Sequence, residues 1–208
     1  MADAKTLKSR LASGEFDARL KEVYLSDKAV EDQKKRDAVI IDEFVRLFGD
    51  NDSIELFSAP GRTEVGGNHT DHNHGKVLAA SVDLDTVAAA AKRDDGIIVE
   101  KSFKFDALEV DISDLEVHTE EFGKSSGLIR GMCAGFKERG YNIGGFNAAS
   151  MSRVLSRSGL STSAAYEVLN GTRLNHLYND CKVSTVVVAK SSQYAEHNYF
   201  TKTFDLID

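Results

Sequence analysis

Charged and apolar positions recur with helical spacing between residues 4 and 48. Over 27–48 the apolar set is Val30, Val39, Ile40, Phe44, Leu47 and Phe48, and Gly49 supplies the stop. The period then changes. Ser53-Ile-Glu-Leu-Phe-Ser alternates, which predicts a strand ended by Pro60-Gly61. Residues 62–75 are polar, glycine-rich and irregular. Residues 76–92 mix small and β-branched side chains and suit helix or strand, with the second half favouring strand. Gly96-Ile-Ile-Val-Glu-Lys after Asp94-Asp95 predicts the return strand of a hairpin, and 112–117 a further short strand. Residues 120–139 read as a helix closed by Gly140 and 144–155 as a strand. A helix then opens in the hydroxyl-rich segment 156–165 and runs to about Tyr178, and another covers 184–199. Strands precede most helices without regular βαβ alternation, so the pattern predicts an α+β fold. No repeat or linker interrupts it, which predicts one domain over 1–208 with residues 1–48 as a helical extension packed on it.

Composition narrows the function. The 26 basic and 33 acidic residues give a net charge of −7, with no basic run and no basic-aromatic stripe. Nucleic acid and anionic membrane are therefore disfavoured as partners. A phosphate ligand stays open, because helix N-termini and a divalent cation hold phosphate on an acidic protein. The longest apolar run, Val87 to Ala91, is far below the ~18 residues of a membrane span. The first residues lack the basic-then-apolar signature of a secretory leader, so a cytoplasmic protein is expected. Cys133 and Cys181 have no metal-ligand spacing and read as free structural thiols.

Two segments carry chemistry. The first is Gly61-Arg-Thr-Glu-Val-Gly-Gly-Asn-His-Thr-Asp-His-Asn-His-Gly75. Polar groups this dense among glycines suit a loop whose backbone approaches a polyhydroxylated ligand. The cluster His69-x-Asp71-His72-x-His74 also suits zinc or iron, and a solvated polar loop is the plain alternative. The second is Ser158-Gly-Leu-Ser-Thr-Ser-Ala-Ala-Tyr-Glu167. A strand, a hydroxyl-rich turn and a helix opening on small residues outline a phosphate cradle, and an ordinary helix cap is its bland counterpart. No Gly-Lys-Ser/Thr follows, so it is not a Walker A loop.

Together the two segments resemble the galactokinases, members of the galactokinase–homoserine–mevalonate–phosphomevalonate kinase superfamily. Leu174-Asn-His-Leu-Tyr-Asn-Asp180, Gln193-Tyr-Ala-Glu-His and Phe200-x-Lys-x-x-x-Leu-x-Asp208 extend the likeness over roughly residues 30 to 208. The resemblance implies the N-terminal half of the superfamily kinase fold, a mixed sheet with packed helices of the ribosomal-protein-S5-domain-2-like type. It implies ATP and Mg2+ as cofactors and galactose as the sugar, phosphorylated on its anomeric C1 hydroxyl. Arg62 matches the arginine beside that hydroxyl and Asp208 the aspartate that assists its deprotonation. Asn68, His69 and Asp71 match sugar-contacting positions, Asn68 standing where many members have glutamate. Ser158, Gly159, Leu160, Ser161, Thr162, Ser163 and Ala164 match the nucleotide phosphate loop. Ser163 and Glu196 match the magnesium ligands.

Several positions depart from the family pattern. Arg157 and Asp205 stand at glycine positions, Thr185 and Thr203 where relatives often have proline, and the chain has no tryptophan. The family continues well beyond the position of Asp208. This predicts a truncated or degenerate copy with little activity alone, self-associating through the face that the second half would cover. The alternative on the same fold is a non-catalytic sugar- or nucleotide-binding module. A metal-dependent hydrolase using His69, Asp71, His72 and His74 is the remote one.

Overall fold

The computed structural model describes residues 2–50, 53–67, 76–154 and 162–201. Three helices come first: α1 (Ala4–Ala12), α2 (Asp17–Tyr24) and α3 (Asp27–Phe48). They read as one helical stretch in sequence, but Gly14 and Leu25 adopt left-handed backbone and break it. Ser26 caps α3 by accepting from the Ala29 amide at 3.2 Å. The buried face of α3 carries Val30, Gln33, Arg36, Asp37, Ile40, Ile41 and Phe44. Val39, expected on that face, is 47 % exposed because it lies a third of a turn round from Ile40.

Among the described residues five strands form one mixed sheet in the order β1-β2-β5-β3-β4. They are β1 (Glu55–Gly66), β2 (Leu78–Lys92), β3 (Ile97–Ser102), β4 (Leu108–Asp111) and β5 (Phe146–Ser152). All neighbours are antiparallel except β3 and β5. The α+β expectation holds, and the ambiguous stretch before Lys92 is strand from Leu78 onward. Its alanines alternate: Ala88 and Ala90 face one core, Ala89 and Ala91 the other. Small side chains on both faces let helices approach the sheet from either side, which outweighs alanine's local helix preference.

Two strand boundaries differ from expectation. Pro60-Gly61 does not end β1, because β1 is an edge strand that can spare an amide, and the register shifts between Pro60 and Arg62. The short strand expected over 112–117 is instead β4, one step earlier. Asp111 and Asp114 each accept the backbone amide two residues on, from Ser113 and Glu116 at 2.9 and 2.8 Å, and these local turns replace a ladder.

Helices α4 (Ser125–Glu138), α5 (Thr162–Asn179) and α6 (Thr185–Ala195) cover one face of the sheet, and α1 and α3 cover the other. A 3-10 turn over Thr119–Glu121 and Gly123 in left-handed backbone precede α4, so this helix starts later than its charge pattern suggests. A π-helical turn, Glu196–Phe200, continues α6. The seam between α4 and α6 is built on glycine. A Cβ on Gly131 would stand 2.7 Å from the Ala195 Cα, and one on Gly135 3.1 Å from the Ser191 Cβ. A Cβ on Gly127 would meet the Tyr199 carbonyl oxygen at 2.8 Å.

A buried polar network ties α3 to the sheet. Arg36 donates to the Asp85 carboxylate, and also to the backbone oxygens of Asp85 (3.0 Å) and Met151 (2.9 Å). Tyr24 and Ser58 hydroxyls each donate to Asp85 Oδ2 at 2.6 Å. Burial alone would raise Asp85, but the Arg36 charge and these hydroxyls outweigh it and hold the carboxyl below its ordinary range. Asp37, one turn from Gln33, accepts a single bond from Gln33 Nε2 (2.5 Å), and burial pushes its carboxyl up to about 7. The folded chain therefore keeps a proton that the unfolded chain releases between about pH 4 and 7. Asp37 should thus lower stability by up to ~1.4 kcal/mol per pH unit across that window, and add nothing above it. Urea melts of the parent and of Asp37→Asn at several pH values give the difference. Parallel pH profiles would refute it.

Candidate active site

A cavity of about 470 Å³ opens where the N-termini of α4 and α5 converge on the sheet. Thr86, Ser150 and Ser152 form its floor with Glu100 and Ser102 of β3. Phe105, Asp106 and Leu108 from the β3–β4 hairpin make one wall, and Lys124, Ser125 and Ser126 at the start of α4 another. Ser163 and Tyr166 on the first turns of α5 complete it. The α4 N-terminus carries no side-chain cap. Its first amides and the Lys124 ammonium thus give this end of the cavity positive potential. An exposed Phe105 beside an anion-attracting end suits a ligand with an aromatic base and phosphates.

Of the residues matched to the phosphate loop, Ser163 lines the cavity and Ala164 follows it on α5. Thr162 opens that helix, and residues 158–161 lie outside the described residues.

Glu196, at the first position of the π-helical turn, is 4 % exposed and hydrogen-bonds to Glu167, which is 1 % exposed. Burial, with the bond and charge of Glu196, holds the Glu167 carboxyl well above the usual carboxylate range. Each carboxylate keeps one buried oxygen without a hydrogen-bond partner, Glu167 Oε1 and Glu196 Oε2. Two hard, under-satisfied oxygens fit a magnesium ion. Ser163 is one helical turn before Glu167, on the same face of α5. Glu167 closes the hydroxyl-rich segment in sequence but carries no assigned role there; its four-residue spacing from Ser163 is the signal that points to it.

Of the positions matched to the sugar site, Arg62 sits on β1 opposite Ser81 of β2. Gly67, with φ of 117°, ends that hairpin arm against Val77, whose Cα would lie 2.6 Å from an added Cβ. A side chain at Gly67 would push it away from the Lys76 and Val77 backbone. Asn68, His69, Asp71, His72 and His74 fall within that segment and outside the described residues, as do Arg157, Thr203, Asp205 and Asp208. Thr185 opens α6 behind a Ser184 cap, so a proline is not needed there to start the helix. No group of three His, Cys, Asp or Glu that could hold a metal occurs among the described residues. No helix among them is long and apolar enough to cross a membrane.

The galactokinase galactose-binding signature matches residues 42–92, from the end of α3 through β2. The chain is 32 % identical to the galactokinase of Lactococcus lactis strain IL1403 over 173 residues, 82 % of this chain and 43 % of that protein. The likeness is to the N-terminal part of galactokinases. The galactokinase of Bacillus subtilis strain 168 is 29 % identical over 169 residues, again 43 % of its length. The crystal structure of Lactococcus lactis galactokinase complexed with galactose superposes with a TM-score of 0.75 at 31 % identity, covering 83 % of this chain and 44 % of that one. Methanococcus jannaschii mevalonate kinase, at 15 % identity and a TM-score of 0.59, shares the fold over half its length. The chain therefore has the fold of the N-terminal half of the superfamily kinases, and spans less than half the length of the galactokinases it matches.

Proposed function

We propose that this chain carries the nucleotide- and sugar-binding part of a sugar kinase that transfers the γ-phosphoryl group of ATP to the C1 hydroxyl of galactose. The observation that carries this reading is the cavity at two helix N-termini, in a chain whose residues 42–92 match the galactose-binding signature. In phosphoryl transfer the protein chiefly positions groups and stabilises charge. The amides of Ser158 to Ala164 and of the α4 N-terminus bind the phosphates, Lys124 adds a cation, and Phe105 stacks on the base. Ser163 and Glu196, with Glu167 beside them, would hold magnesium, and the ion would supply neutralisation of the phosphate charge. His69 and Asp71 hydrogen-bond the sugar hydroxyls, and the Asn68 amide donates and accepts where a carboxylate would only accept. Arg62 keeps Asp208 ionised, and Asp208 takes the proton of the attacking hydroxyl.

Calorimetry of the chain with magnesium–ATP and with galactose, alongside a coupled assay for ADP release, tests this. Binding of both with galactose-dependent ADP release supports the kinase. Binding without turnover favours a non-catalytic binding module on the same fold. Binding of neither, by folded protein, refutes the proposal.

A further inference from the structure

Cys181 is a free thiol, as the sequence leads one to expect, and its surroundings give it more than a structural setting. It lies in the turn between α5 and α6, is exposed, and its Sγ is 3.1 Å from His176 Nδ1. The other ring nitrogen, His176 Nε2, is 2.5 Å from Glu55 Oε2 on β1. A carboxylate only accepts, so Nε2 carries the proton and Nδ1 faces the sulfur as an acceptor. The ring is fixed a third way, edge-on to Phe57 with centroids 5.6 Å apart. The turn is pinned as well. The Cys181 amide donates to the Asn175 carbonyl at 3.1 Å, and the Asn175 side chain bonds both the amide and the carbonyl of Val183 at 2.9 Å. Glu55 and Cys181 occupy opposite ring nitrogens, an arrangement that suits proton transfer and not a shared metal ion.

We infer that Cys181, His176 and Glu55 form a nucleophile–base–orienter set that makes Cys181 a selective site of thiol–disulfide exchange with small soluble disulfides. Cys181 is exposed, so a small disulfide reaches it from solvent. In the exchange the Cys181 thiol proton passes to His176 Nδ1 as Sγ attacks one sulfur of the disulfide. The reagent's S–S bond breaks, a new one joins it to Cys181, and the departing thiolate takes up the proton. The Cys181 sulfur rises from thiol to disulfide level and the departing sulfur falls from disulfide to thiol level, so the exchange balances with no further oxidant. His176 lies about 20 Å along α5 from Ser163, and the site is separate from the cavity at the start of that helix.

Glutathione disulfide is the probe, with mixed disulfide followed by intact mass and located by peptide mapping. Cys133 is the internal control, since it is fully buried and burial pushes its thiol up to about 12. One adduct per chain is expected, on Cys181, at a rate about tenfold above that of the same chain unfolded in urea. His176→Ala should lower the native rate about tenfold, and added imidazole should restore part of it. Glu55→Gln, which still accepts from Nε2 but carries no charge, should fall between the two. A native rate no faster than that of the unfolded chain overturns the inference, and needs no variant to be seen. So does a folded His176→Ala protein that reacts as fast as the parent.

Discussion

Glu100→Ala should lower the unfolding free energy by about 3–5 kcal/mol, because it strands a buried guanidinium. Arg173 is 0 % and Glu100 2 % exposed. Arg173 Nη1 and Nη2 donate to the two Glu100 oxygens at 2.9 and 3.2 Å, and the Tyr166 hydroxyl adds a bond at 3.0 Å. Asn170 Oδ1 takes one further Arg173 bond at 3.1 Å, and the Phe146 ring lies 5.6 Å from the guanidinium carbon. With Glu100 gone, a single amide oxygen and a ring face would have to hold a full charge away from water. Urea melts at one pH measure the loss. The double replacement Glu100→Gln with Arg173→Met should recover most of it, since removing both charges removes the desolvation cost too. A loss below about 1 kcal/mol for Glu100→Ala would mean that water reaches Arg173, a weight ordinary for exposed pairs.

Under the proposed kinase mechanism, Asp208→Asn in an otherwise competent enzyme should transfer phosphate about a thousandfold more slowly than the parent and bind magnesium–ATP and galactose nearly as well. An alcohol attacks phosphorus poorly while it keeps its proton, and an amide cannot take that proton at neutral pH. The amide keeps the shape and one acceptor oxygen of the acid, so ground-state binding changes little. The pairing of the two measurements is what discriminates. Coupled ADP release under saturating sugar and nucleotide reports the step, and calorimetry reports the binding. Unchanged turnover would remove Asp208 from the mechanism. Loss of both turnover and binding would make it a structural residue.

The sequence was most legible where local pattern and tertiary need agree. The apolar positions of α3 and its Gly49 stop give one consistent helix, and α5 opens at Thr162 within the hydroxyl-rich segment. Legibility failed where a short-range hydrogen bond or a sheet edge decides. The Asp111 and Asp114 turns remove a strand that alternation supports, and the edge position of β1 lets it run through Pro60. The site residues divide in the same way. Ser163 was readable from its own segment, whereas Glu167 beside Glu196, and Cys181 with His176 and Glu55, are meetings of distant segments. Glu55 and His176 are 121 positions apart, and no local window holds both.

The glycine seam on α4 has a mechanical meaning. Side chains between two helices act as springs: they change rotamer and absorb small displacements. At Gly127, Gly131 and Gly135 there are none, and backbone bears directly on backbone or on a Cβ. The start of α4, which lines the cavity, and the turn that carries Glu196 are thereby coupled as one stiff lever. A tilt at either end is passed to the other with little damping, so the cavity-lining start of α4 and the buried Glu196 carboxylate move together.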